Sequence, residues 1–173
     1  LGNFHHAYSW LLEREETRHR ALALFCHLSK LFMSYGYGRE GREWVKAALA
    51  FPSDVSWQWA DALHVAGSLA RIQGELSQAR ELYAQSRELW RRLGDQDNEV
   101  RVLGNLAIIY TEEGQYALAG ESYEFVLAHF KKAGNTQIMV AALVNLGTLH
   151  HQQGNFEKAQ AFYGECLKLC QEV

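Results

Sequence analysis

Two asparagines, Asn105 and Asn145, stand 40 residues apart and carry a side chain suited to holding another chain's backbone. A primary amide offers donors and an acceptor together, so a row of them can clamp an extended peptide by its main chain whatever its side chains are. Arg101, Thr111 and Glu112 lie near Asn105 in the sequence, and Thr148 and His151 lie near Asn145. Ser68, Arg71 and Lys30 complete a candidate ligand-contacting set. Arg71 and Arg101 could grip a carboxylate on the ligand, or pair instead with Asp61 and Glu112. Each asparagine could likewise bond within its own pair of helices.

The groups needed for catalysis are not found at recognisable spacing. There is no HExxH, no GxSxG and no Walker loop, and no Cys or Ser stands in register with a His and a carboxylate. His150 and His151 near Glu112 would be an acid–base pair only in a dry pocket, which helical repeats seldom build. Cys166 and Cys170 share a helix face, yet no His or Asp joins them at ligand spacing, so packing is the better reading. The adjacent His5 and His6 point about 100° apart on a helix and suit one metal poorly. No catalytic residue, metal or cofactor is therefore expected.

Charge and composition narrow the partners. A net charge of −3 and a pI near 6.3 give no reason to expect nucleic acid or an anionic membrane, and Arg87, Arg91 and Arg92 alternate with acids as on a solvated face. No apolar run approaches the roughly 18 residues of a membrane span. Three cysteines without a CxxC do not make a disulfide framework. The reading is cytoplasmic, and the opening Leu1-Gly2-Asn3-Phe4, without an initiator Met, reads as cut from a longer chain.

What would position the asparagines is a repeat. Gly74-Glu75-Leu76-Ser77-Gln78-Ala79, Gly114-Gln115-Tyr116-Ala117-Leu118-Ala119 and Gly154-Asn155-Phe156-Glu157-Lys158-Ala159 place their glycines 40 residues apart. Helices are expected at about 55–73, 76–93, 99–113, 116–133, 136–153 and 156–171, each pair turning at its glycine. Upstream, a helix from about Arg18 to Tyr35 ends at Gly36, and a partner from Arg39 to Phe51 closes at Pro52. Ser53 or Asp54 would cap the next helix, where one of Trp57 and Trp59 packs and the other is partly exposed. Residues 1–15 read as a second helix without its first, with Ala7 and Leu11 marking its apolar stripe and Tyr8 and Leu12 beside them. One domain spans 1–173, with a half repeat at 1–15 and repeats at about 18–51, 55–93, 96–133 and 136–173.

Alignment on the glycines stacks Leu63, Leu103 and Leu143, then Ala66, Leu106 and Leu146, then Gly67, Ala107 and Gly147. The second helices stack Ala79, Ala119 and Ala159, and four residues on Tyr83, Tyr123 and Tyr163, a knob-and-hole pairing for two close helices. This pattern resembles the tetratricopeptide repeat, with a period longer than its usual 34. The resemblance implies an all-α fold, a right-handed superhelical solenoid of antiparallel helix pairs whose first helices line the concave side. It thereby gathers the ten candidates named above onto one groove. Phrases such as Arg42-Glu43-Trp44-Val45-Lys46-Ala47-Ala48-Leu49 and Glu88-Leu89-Trp90-Arg91-Arg92-Leu93-Gly94-Asp95 are similar to the C-terminal sensor arm of bacterial STAND-type and LuxR-type regulatory ATPases. That resemblance implies a sensor or scaffold arm that binds a protein or peptide segment, or a small effector. The alternative is a stand-alone adaptor bridging two proteins. Leu167 and Leu169 near the end would leave an open apolar flank and a route to self-association.

Overall fold

The computed structural model describes residues 2–34, 41, 43–44, 46–47 and 55–171. Gly36, Arg39, Phe51, Pro52, Ser53, Asp54 and the side chain of Lys30 lie outside the described residues, so the expected hairpin at 18–51 is seen mainly in its first helix. The chain forms two compact units, residues 1–95 and 96–173. Among the described residues every regular element is helical.

The first unit contains α1 (Gly2–Glu13), a short 3-10 turn at Glu15–Thr17, α2 (Arg18–Ser34), α3 (Trp57–Ile72) and α4 (Leu76–Leu93). Helices α1 and α2, α2 and α3, and α3 and α4 pack in succession. The cap of α3 is Ser56, one turn before the buried Trp59, whose N–H it accepts at 3.3 Å. Trp57 stays 49% exposed while Trp59 is buried, as the sequence suggested. Ser86 donates to the carbonyl of Ala60 at 2.6 Å and fastens α4 to α3 through a buried bond. The stripe of α1 is rotated from expectation: Tyr8 and Leu12 are buried and Ala7 is exposed. The cause is aromatic. Tyr8 stacks on Trp44 with ring centroids 4.3 Å apart, and its hydroxyl donates to the Trp44 carbonyl, so this aromatic contact sets the helix's orientation.

The second unit is two regular hairpins, α5 (Gln96–Glu112) with α6 (Tyr116–Ala133) and α7 (Thr136–Gln152) with α8 (Phe156–Gln171). Each turn closes in the same way. At the first, Gly114 adopts φ +75°, its N–H reaches the Thr111 carbonyl, and the Gln115 N–H reaches Tyr110 at 2.7 Å. That pair of bonds satisfies carbonyls the helix end would leave open, and the left-handed φ explains a glycine there. Asn135 caps α7 by accepting the Ile138 N–H at 3.2 Å. Asp97 in the first turn of α5 meets His129 near the end of α6 at 2.6 Å, tying the open ends of the hairpin together. Val100, Val126, Phe130, Met139 and Ala142 form one core cluster, and Ala107, Ala119, Tyr123, Leu146 and Leu149 form another.

Candidate functional site

Within the second unit the helical period brings three of the expected residues to one place. Arg101, Asn105 and Ile108 are spaced i, i+4, i+7 along α5 and share a face; Ile138, Ala141 and Asn145, at i, i+3, i+7, share one along α7. Together with Gly104, Ala142 and, from α6, Tyr123 and Val126, they line a cleft of about 200 Å³. Its lining is mainly aliphatic, with Tyr123 among it, and two amides and one guanidinium join that lining, an arrangement able to hold a small apolar side chain while hydrogen bonding the backbone that carries it. Asn105 is engaged by a neighbour within the chain, whereas the Asn145 side chain makes no hydrogen bond to any described residue. The two equivalent positions are thus not equivalent in availability.

The hydroxyl candidates have structural partners. Ser68 donates to the His64 carbonyl at 3.1 Å and accepts from Tyr83 at 3.0 Å. Thr148 donates to Val144 at 2.9 Å and lies 3.3 Å from the Tyr163 hydroxyl. Thr111 donates to Ala107 at 2.9 Å and lies 3.4 Å from that of Tyr123. Each joins the first helix of a hairpin to the tyrosine of the second. His151 is exposed and meets Phe156 edge-on at 5.3 Å; Glu112 is also exposed, beyond the cleft on α5. Ser68 and Arg71 belong to the first unit, where Arg71 is half-buried and engaged within the chain.

Other groups with chemical potential are dispersed. His150 lies flat against Phe162, with centroids 5.5 Å apart and an interplanar angle of 2°, while His151 turns to Phe156. The two histidines therefore face different rings rather than one substrate. Cys166 is buried and Cys170 exposed; burial first, then its neighbour Cys170, pushes the Cys166 thiol up. Among the described residues no three of His, Cys, Asp and Glu cluster as a metal site, and no helix is long and apolar enough to cross a membrane.

Sequence reasoning missed Ile138, Ala141 and Val126 as cleft residues. Ile138 and Ala141 could have been found by stepping back from Asn145 along its helix face. Val126 could not, because its place depends on how α6 packs behind α5.

Paired antiparallel helices, a glycine turn within each hairpin every 40 residues and a small-residue and tyrosine column define a helical-repeat scaffold. The tetratricopeptide-repeat profile matches residues 60–132 and 101–172, and the chain belongs to the tetratricopeptide-repeat family. No curated protein matches it in sequence. Among solved structures it is similar to the apo form of RapI, with a TM-score of 0.82 and 17% identity, covering 98% of this chain and 62% of that one. It also resembles the Rap conjugation gene regulator of plasmid pLS20 in complex with the Phr* peptide, at 0.73 and 12%, covering 85% and 42%. A STAND protein with a tetratricopeptide-repeat sensor from Pyrococcus horikoshii matches at 0.73 and 17%, covering 88% and 24%. At these identities the likeness is one of fold.

Proposed function

We propose that this chain is a non-catalytic binding module that takes a peptide segment of a protein partner at the cleft between α5 and α7. The observation that carries this is the convergence of Arg101, Asn105 and Asn145 on one small apolar-floored cleft. About 200 Å³ accommodates an aliphatic side chain or two and falls short of the roughly 300–1,000 Å³ of usual cofactor and drug sites. A peptide therefore fits better than a small effector. The module acts in the cytoplasm as the sensor or scaffold arm of a bacterial signalling or transcriptional regulator. Support comes from the fold it shares with a conjugation gene regulator solved with a peptide and with a signal-transduction STAND protein that has a repeat sensor.

Selection of displayed short peptides on the 173-residue chain tests the reading. Peptides recovered on the native chain should lose at least about tenfold in affinity on the N105A/N145A double variant, since two amide hydrogen bonds are worth about 1 kcal/mol each. Peptides that bind both proteins equally would place the site elsewhere. Isolation of the gene product settles the wider role: a P-loop and winged helix in the same polypeptide support the arm, and their absence supports the adaptor.

A further inference from the structure

The outward side of α6 differs from that of its sister helices. Leu118, Glu121, Phe125, Ala128 and Lys132 fall within about 80° of one another around the helix and follow a 3-4-3-4 spacing. All five are exposed, with Leu118 at 42% and Phe125 at 53%. The matching positions of α4 are Gln78, Glu81, Gln85, Glu88 and Arg92, and those of α8 begin Lys158, Ala161, Glu165, Lys168. In both sisters this strip is mainly polar and exposed, so the repeat itself does not call for apolar residues there. At α6 it has acquired a leucine, a phenylalanine and an alanine, with an acid and a base eleven positions apart flanking the phenylalanine and alanine.

We infer that this strip is a self-pairing surface through which two copies of the chain associate by antiparallel contact of their α6 helices. The order of residues selects both the partner and the direction. When two such strips run antiparallel about a two-fold axis between Val126 and Leu127, Phe125 of each copy faces Ala128 of the other. Under the same axis Glu121 of each copy faces Lys132 of the other. One centre satisfies both pairings: a large ring over a small residue, and opposite charges at both ends. A parallel arrangement would set Glu121 against Glu121 and Lys132 against Lys132, which is repulsive. Leu118 lengthens the apolar strip one turn beyond Glu121. The contact involves one helix from each copy and is therefore small, so the dimer is weak and forms at high local concentration, as on neighbouring sites of one partner. This surface is separate from the cleft, whose amides lie on α5 and α7, and stands or falls independently of the peptide reading.

Sedimentation velocity of the 173-residue chain, from micromolar to on the order of millimolar, tests the inference. A reversible monomer–dimer equilibrium that weakens with salt is expected. F125E should abolish it with helicity and melting temperature unchanged, because the side chain is exposed. E121K and K132E should each weaken association roughly tenfold, and the E121K/K132E double variant should return it near the native value, the two charges having exchanged places. A chain that stays monomeric across the range overturns the proposal. So does a dimer that survives F125E, a dimer lost instead in L167E, or a double charge exchange no better than its single parents.

Discussion

The hairpin of α3 and α4 and the hairpin of α5 and α6 share a tyrosine and solve its hydrogen bond differently. In the first, residue 67 is glycine, the Tyr83 ring lies only 2.8 Å from where a Cβ would stand, and the phenol reaches Ser68. In the second, the same column holds Ala107, whose methyl occupies that space, and the Tyr123 phenol instead meets Thr111, one turn further along. The α7–α8 hairpin follows the first solution, with Gly147 and Thr148 serving Tyr163. One methyl therefore decides which residue must carry the hydroxyl. Its consequence reaches the cleft: position 108, equivalent to Ser68 and Thr148, no longer needs a hydroxyl and can be the isoleucine that lines it. A packing choice in the core has opened an apolar position on the cleft proposed to take the peptide.

The largest effect should come from removing this difference. Gly67→Ala puts a methyl into the ring of Tyr83, which is 1% exposed and has little room to yield. Overpacking of this kind costs about 1–3 kcal/mol, against a gain of at most about 1 from helix propensity. A thermal melt should therefore show a lower midpoint, and a higher one would mean that the ring is not held. Gly147→Ala should cost less although the Tyr163 ring comes closer there, to 2.4 Å, because Tyr163 is only half-buried and can swing aside.

A smaller effect tests the same logic by transplantation. Arg71 occupies the column of Thr111, so the Gly67→Ala, Arg71→Thr pair installs in the first unit the arrangement of the second. If the hydroxyl choice follows from the methyl, the double variant should melt above Gly67→Ala alone by the worth of one hydrogen bond, about 1 kcal/mol. Strict additivity of the two changes would break the comparison.

The repeat was legible in the sequence because its signals are local. Glycine turns, the Ala119-to-Tyr123 spacing and the apolar period of α5 to α8 each act within one hairpin, and the expected helices lie within a few residues of those found. Orientation was less legible where a single long-range contact decides it. Ala7 matches the buried Ala79, Ala119 and Ala159 by motif, yet Trp44, 36 residues beyond Tyr8, holds the helix by its tyrosine and leaves Ala7 exposed. The candidate site was half legible for a related reason. Spacing along α5 and α7 identified Arg101, Asn105 and Asn145, but the hydroxyls of Ser68, Thr111 and Thr148 looked like ligand groups because their tyrosine partners lie 12 to 15 residues away on another helix.

The smallest effect on stability separates the two asparagines themselves. The Asn145 amide has no hydrogen bond among the described residues, so Asn145→Ala should leave stability within the range of a neutral surface change, about 0.5 kcal/mol. Asn105 is engaged, and Asn105→Ala should lower it measurably, by about 1 kcal/mol. Binding should reverse the order. An amide already directed at a ligand loses nothing before binding, while one with a partner in the chain must exchange it. Asn145→Ala should therefore cause the greater loss of affinity for peptides selected on the native chain, measured by titration of each single variant. Equal losses would show that the clamp works as a symmetric pair, and the inequality within the chain would then be a matter of stability alone.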